Sequence, residues 1–244
     1  MEIAGLKRLV ADLLFERGAV LDKSQSLDGR PTRVGERSDD KGFRLKLHEK
    51  NPNAPLSPFY INLRTPQNPK PGPLTDDDIF LIGQLMFRNA VERHLSYDFI
   101  AGVPYAGNPI AKAFQKAAEV SRRCLVPVLQ LIKEESADTR SIVSLHPFIK
   151  PVPDMQVILV DDICTRAGTK LEAVKVLESA GLIVKDILVL IDRQQGGAME
   201  LLRAGYRLHD IFTVRDLFAY YNRRRVVSRE VCDEINDYLD SGSG

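Results

Sequence analysis

Apolar and polar positions alternate with different rhythms along the chain. Residues 4–17 carry Leu6, Leu9, Val10, Leu13 and Leu14 at helical spacing, which predicts an amphipathic helix. Residues 22–42, DKSQSLDGRPTRVGERSDDKG, are polar and turn-rich and read as a loop. FRLKLH (43–48) alternates as an edge strand does, and FYINL (59–63) reads as a second strand, with a Pro-rich turn between them. TPQNPKPGP (65–73) excludes regular structure, because proline lacks the N–H that helices and ladders need. Thr75 then reads as an N-cap, and Asp76, Asp77 and Asp78 fill a first helical turn where the helix dipole favours acids. That helix is expected to run to about His94. Its apolar face is wide enough to suggest packing against a second copy.

Beyond it the rhythm becomes strand, turn, helix. The strands are YDFIAGV, CLVPVLQLI, QVILV, DILVLI and YRLHDIFTV. Short apolar strands alternating with helices predict an α/β fold, a central parallel sheet covered on both faces. Ligands of such sheets sit at the carboxyl ends of the strands. Three polar turns lie there, PYAGNP, DDICTRAGT and DRQQGG, and are expected to converge on one crevice. The division expected is an N-terminal helix and hood over residues 1–75, and an α/β core with a C-terminal helix over 76–240. The polar stretch 133–150 reads as a long loop.

Composition narrows the classes. The 34 Lys and Arg nearly cancel the 33 Asp and Glu, so no net field points to nucleic acid or an anionic membrane. No apolar run approaches the roughly 20 residues that span a bilayer, and the N-terminus reads as a helix rather than a signal peptide. Three scattered cysteines, Cys124, Cys164 and Cys232, make neither a disulfide framework nor a zinc site, and a reducing cytoplasm is the expected location. Arg223–Arg225 reads as the solvated start of a last helix, with Ser228 as its N-cap.

The chemistry concentrates in VILVDDICTRAGTK, residues 157–170. A turn with Gly168 and the hydroxyls of Thr165 and Thr169 opens a helix, and free N–H groups there suit a phosphate monoester. The G-x-x-x-x-G-K-[ST] spacing of a Walker loop is absent. Asp161 and Asp162, just upstream, suit vicinal ribose hydroxyls or a hydrated Mg²⁺. Phosphate on one side and ribose hydroxyls on the other describe a ribose 5-phosphate.

This stretch resembles the phosphoribosyl-pyrophosphate (PRPP) signature of type I phosphoribosyltransferases. FIAGVPYAGNPIA (99–111), VLIDRQQGG (189–197), LHDIFTV (208–214) and FRLKLH…SPFYINLR (43–64) are similar, in order, to segments of orotate phosphoribosyltransferases. The resemblance implies that Asp161 and Asp162 bind the ribose hydroxyls, and that Thr165, Arg166, Ala167, Gly168 and Thr169 cradle the 5-phosphate. Pro104, Tyr105, Ala106 and Gly107 would lie along the pyrophosphate, and Lys46 would reach the PRPP phosphates. Arg193 would pair with the orotate carboxylate, Phe59 and Tyr60 would flank the base, and Thr165 would also reach it. Lys133, Arg140 and Asp162 would be the catalytic side chains. Mg²⁺ would arrive on PRPP, with Asp161 and Asp162 reached through water at most. A homodimer is implied, with PRPP and orotate as partners and neither nucleic acid nor membrane.

Two stretches depart from the family pattern. R-K-E-x-K-D-[HY]-G is replaced by IKEESADTR (132–140), so the first Arg is Ile132, the second Lys is Ser136 and the His/Tyr is Asp138. Arg140 is the substitute cation at hand. In the phosphate turn Ala167 stands where glycine is usual, which requires a backbone without positive φ. The sequence thus leaves open an orotate phosphoribosyltransferase, a transferase for another base, and a non-catalytic PRPP or nucleotide sensor on the same fold.

Overall fold

The computed structural model describes residues 2–24, 42–45, 48, 51–122, 125–135, 140–146 and 152–242, with the backbone alone for Arg122, Glu135 and Arg140. Helix α1 spans Ile3–Glu16 and buries Leu6, Val10 and Leu14 of the predicted stripe together with Ala11, while Leu13 is half-buried and Leu9 is exposed. Strand β1, Val20–Asp22, pairs antiparallel with β2, Phe59–Ile61. FRLKLH does not form the expected strand among its described residues. Phe43 makes an isolated bridge to Ser57. Two residues on, the chain turns, because the Leu45 N–H donates to His48 Nδ1 at 2.8 Å. Such a local side-chain acceptor competes with ladder pairing.

Helix α2, Asp76–Glu92, starts in a capping box: Thr75 Oγ1 accepts from the Asp78 N–H while the Asp78 carboxylate accepts from the Thr75 N–H. Its apolar face is covered within the chain rather than left for a second copy. Ile79, Ile82, Leu85, Met86, Phe87 and Ala90 are all buried in one core with α1 and α3. A Cβ on Gly83 would come within 2.4 Å of Ala113 Cβ, so glycine permits this close crossing of α2 with α3.

The main sheet then builds from β3 (Phe99–Gly102), α3 (Gly107–Arg122), β4 (Val128–Glu135), β5 (Arg140–Leu145), β6 (Gln156–Cys164), α4 (Gly168–Ser179), β7 (Ile183–Asp192), α5 (Gly197–Arg203) and β8 (Arg207–Thr213). Helices α6 (Val214–Arg223) and α7 (Arg229–Asp240) follow, with Ser228 capping α7 as expected. Strand order is β5-β4-β3-β6-β7-β8. The sheet is mixed rather than wholly parallel, since β5 pairs antiparallel with β4 while the other pairs are parallel. The stretch read as a loop is therefore partly a pair of antiparallel strands, and residues 136–139 and 147–150 lie outside the described residues. Alternation supplies the reason, because Leu131 and Ile142 face inward while Glu134 and Val143 face out.

In β6 and β7 alternate residues serve opposite faces. Ile158, Val160, Leu188 and Leu190 join the core under α1, α2, α3, α6 and α7, whereas Val157, Leu159, Ile187 and Val189 join the core under α4 and α5. That double coverage accounts for the unbroken apolar runs.

Candidate functional site

Strand β6 carries the two aspartates in its last turns of pleat rather than in the following loop, and both are buried. A reason for tolerating them lies one helical turn away. Lys170, in the first turn of α4, is itself buried and donates to Asp161 Oδ2 and to the Ile163 carbonyl, each at 2.7 Å. Burial disfavours its charge, but Asp161 outweighs this and holds the lysine above its ordinary pKa. Among the described residues Asp162 has no such partner. Burial first, and then Asp161 beside it, push its carboxyl up to about 8.

The turn after β6 stays open. Ala167 has φ −79° and ψ −16°, so its side chain causes no strain where the family pattern has glycine. Arg166, Gly168 and Thr169 are exposed and Thr165 is half-buried, and nothing lies within 4 Å of a Cβ built on Gly168. From α5, Glu200 holds this turn: its carboxylate accepts from the Ala167 N–H at 2.8 Å and from Arg166 Nη1 at 3.2 Å. Those contacts, the backbone one foremost, hold Glu200 below the usual carboxylate range.

The turn after β3 meets the aspartates directly. A Cβ on Gly107 would lie 2.6 Å from the Val160 carbonyl oxygen and 3.2 Å from Asp161 Oδ1, so only glycine lets the start of α3 approach the end of β6. Tyr105 projects from this turn, 38% exposed, and Lys133 Nζ lies 5.9 Å from its ring centroid. A register shift at Ile132/Lys133 accompanies that placement, as bulges commonly re-aim a side chain. Backbone pairing sets Arg140 opposite Glu135. Lys46 lies outside the described residues, as do Ser136 and Asp138.

The third turn brings in Arg193. Its guanidinium is buried, 4.8 Å above the centroid of Phe59. Its Nε and Nη2 have no hydrogen-bond partner among the described residues. Burial lowers its pKa to about 10, which still leaves it charged at neutral pH. Phe59 has no exposed surface, so it underlies Arg193 and does not reach open space as a flank of a base would. Tyr60 is only half-buried and stacks on Phe43 at 5.7 Å.

The structure thus gathers Tyr105–Gly107, Asp161, Asp162, Thr165–Thr169, Lys133 and Arg193 at the carboxyl ends of adjacent strands, with Phe59 and Tyr60 beneath. Sequence reasoning missed four residues. Lys170 had a signal, a basic residue directly after the turn. Glu200 had one too, an acid in the first turn of α5. Among the described residues Gln195 has both amide atoms buried without a hydrogen-bond partner, and Tyr238, 45 positions after Arg193, carries a buried hydroxyl without one. Cys164 is fully buried and burial pushes its thiol up to about 12, so it packs rather than reacts. A cavity of about 370 Å³, beside β8 and α5, is lined by none of the candidate site residues.

No protein-family model matches the chain. Orotate phosphoribosyltransferase from Sorangium cellulosum is 34% identical over 144 residues, covering 59% of this chain and 73% of that protein. Uridine 5'-monophosphate synthase from Bos taurus is 24% identical over 188 residues, covering 77% of this chain, and the chain spans only 36% of that protein's length. The crystal structure of orotate phosphoribosyltransferase from Francisella tularensis superposes with a TM-score of 0.63 at 12% identity, over 96% of this chain and 98% of that one.

Proposed function

The chain belongs to the orotate phosphoribosyltransferase family, and we propose that it transfers the 5-phosphoribosyl group from PRPP to orotate, giving orotidine 5'-phosphate and pyrophosphate. The observation that carries this reading is Arg193, a buried cation with two donor nitrogens unpaired. Such a group is costly unless a bound anion completes it, and a guanidinium fork matches a planar carboxylate bidentately. A sensor of PRPP alone has no use for that arrangement.

Each other residue then has a task. Thr165–Thr169 take the 5-phosphate, for which the open space above Gly168 leaves room. Asp162, which lacks a lysine partner of its own, takes the ribose hydroxyls, and Lys170 fixes Asp161 beside it. Tyr105, Ala106 and Gly107 border the pyrophosphate. Lys133, next to Tyr105, meets the negative charge that grows as the C1–O bond breaks and a ring nitrogen bonds to C1. Lys46 and Arg140 are further cations for the PRPP phosphates, and Tyr60 lies along the base.

Among the described residues no three His, Cys, Asp or Glu side chains gather into a metal site. Two carboxylates at a strand end do fit a Mg²⁺ that keeps waters and is held mainly by phosphate oxygens. Mg²⁺ would supply charge neutralisation of the diphosphate. A homodimer in the cytoplasm is the setting proposed. Among the described residues no helix is long and apolar enough to cross a membrane.

The test is PRPP-dependent loss of orotate absorbance with Mg²⁺ present and Asp162→Asn as the control. Turnover that the control lacks supports the transferase. Tight PRPP binding without turnover on orotate, uracil, hypoxanthine or adenine would overturn it in favour of a sensor.

A further inference from the structure

We infer that the C-terminal helix supplies a base-reading residue, with Tyr238 donating its hydroxyl to an acceptor on the pyrimidine whose carboxylate Arg193 holds. This rests on the orotate reading above. The starting point is the distribution of unpaired buried atoms. Among the described residues Arg193 Nε and Nη2 and the Tyr238 hydroxyl have no hydrogen-bond partner. Both side chains converge on one ring: the Arg193 guanidinium lies 4.8 Å from the Phe59 centroid, and the Tyr238 ring meets Phe59 edge-on at 6.1 Å.

A buried hydroxyl without a partner costs free energy in the empty protein. Burial alone does not call for it, since phenylalanine would fill the same volume. Arg193 offers donors only, and the nearest use for a second donor is a ligand rich in acceptors. Orotate fits, with a carboxylate and two ring carbonyls.

The helix that carries Tyr238 is fastened at two places. Arg215 Nη1 donates to Asn236 Oδ1 at 2.9 Å and Arg215 Nη2 to Asp240 Oδ1 at 2.6 Å, while its backbone N–H donates to Gln194 Oε1 at 3.3 Å. The last turn of α7 is thereby tied to the residue beside Arg193. At the other end Lys23, next to β1, pairs with Glu234. Beyond Tyr238, Leu239 and Gln195 line a cavity of about 230 Å³, so α7 borders open space at this turn.

The experiment compares the full-length chain with Tyr238→Phe, which keeps the edge-on contact to Phe59 and removes only the hydroxyl. Steady-state rates are taken with orotate and PRPP varied separately, alongside thermal unfolding. The expected result is an orotate KM raised about tenfold, a PRPP KM within about twofold, and a melting temperature of the ligand-free protein equal to or above the parent's. Orotate turnover in the parent chain with an unchanged orotate KM in Tyr238→Phe overturns this assignment and leaves the transferase standing. Equal rises in both KM values also overturn it, as a structural effect. No orotate turnover in the parent chain removes the transferase reading and this inference with it.

Discussion

Arg193 shows what a single buried charge can report. Phe59 lies under it, and among the described residues no acceptor meets its Nε or Nη2. Arg193→Lys keeps the charge and loses the planar fork, so orotate KM should rise roughly 10- to 100-fold with PRPP KM nearly constant, read from initial rates with each substrate varied. Asp162 gives a pH prediction. Its native pKa lies above the unfolded carboxyl value of about 4, so between roughly pH 4 and 8 the native state keeps a proton that the unfolded state has released. Asp162 therefore makes stability fall as pH rises through that window. Urea midpoints at pH 5 and pH 8 should drop more for the parent chain than for Asp162→Asn, and parallel drops would contradict this. Both residues were legible in the sequence because each sits in a short motif. Tyr238 was not, since its role depends on where a distant helix lands.

At the scale of elements, β4 and β5 matter most. The strand β4 was legible in CLVPVLQLI, but its partner β5 was not, because Ile142 alone is buried among its described side chains and Ser141 and Ser144 dilute the pattern. The strand pair sets Lys133 beside Tyr105 even though the family's second lysine is Ser136 here. Lys133→Ala should lower kcat about 100-fold with little change in orotate KM, by the usual worth of one electrostatic donor. A loss below threefold would move the catalytic charge elsewhere, to Arg140 first. FRLKLH failed in the opposite sense. Its alternation is real, but a histidine acceptor three residues on turns the chain, and pattern alone does not show that. The β-α units were legible throughout, since their apolar runs end at turns rich in glycine and threonine.

For the molecule as a whole, the two ends of the chain close one core. The Tyr221 hydroxyl donates to the Ala11 carbonyl at 2.9 Å, and its ring meets Phe15 at 5.0 Å. Leu6, Val10 and Leu14 of α1 share that core with Leu217, Phe218 and Ile235. Leu14→Ala should therefore cost about 2–5 kcal/mol and lower one shared transition in chemical unfolding. Two separate transitions would mean that the hood unfolds by itself. The predicted strands and helices implied a core over residues 76–240, but not that α1 would be sealed under α6, since such long-range contacts leave no local pattern.

In the proposed reaction Arg193 reads a carboxylate on the accepting base. The decisive measurement is PRPP-dependent pyrophosphate release with orotate and with uracil, which lacks that carboxylate, in the parent chain and in Arg193→Met. Release is expected with orotate, at least about 100-fold less with uracil, and the orotate preference is expected to vanish in the variant. Equal rates on the two bases in the parent chain, or an undiminished orotate preference in Arg193→Met, would contradict it.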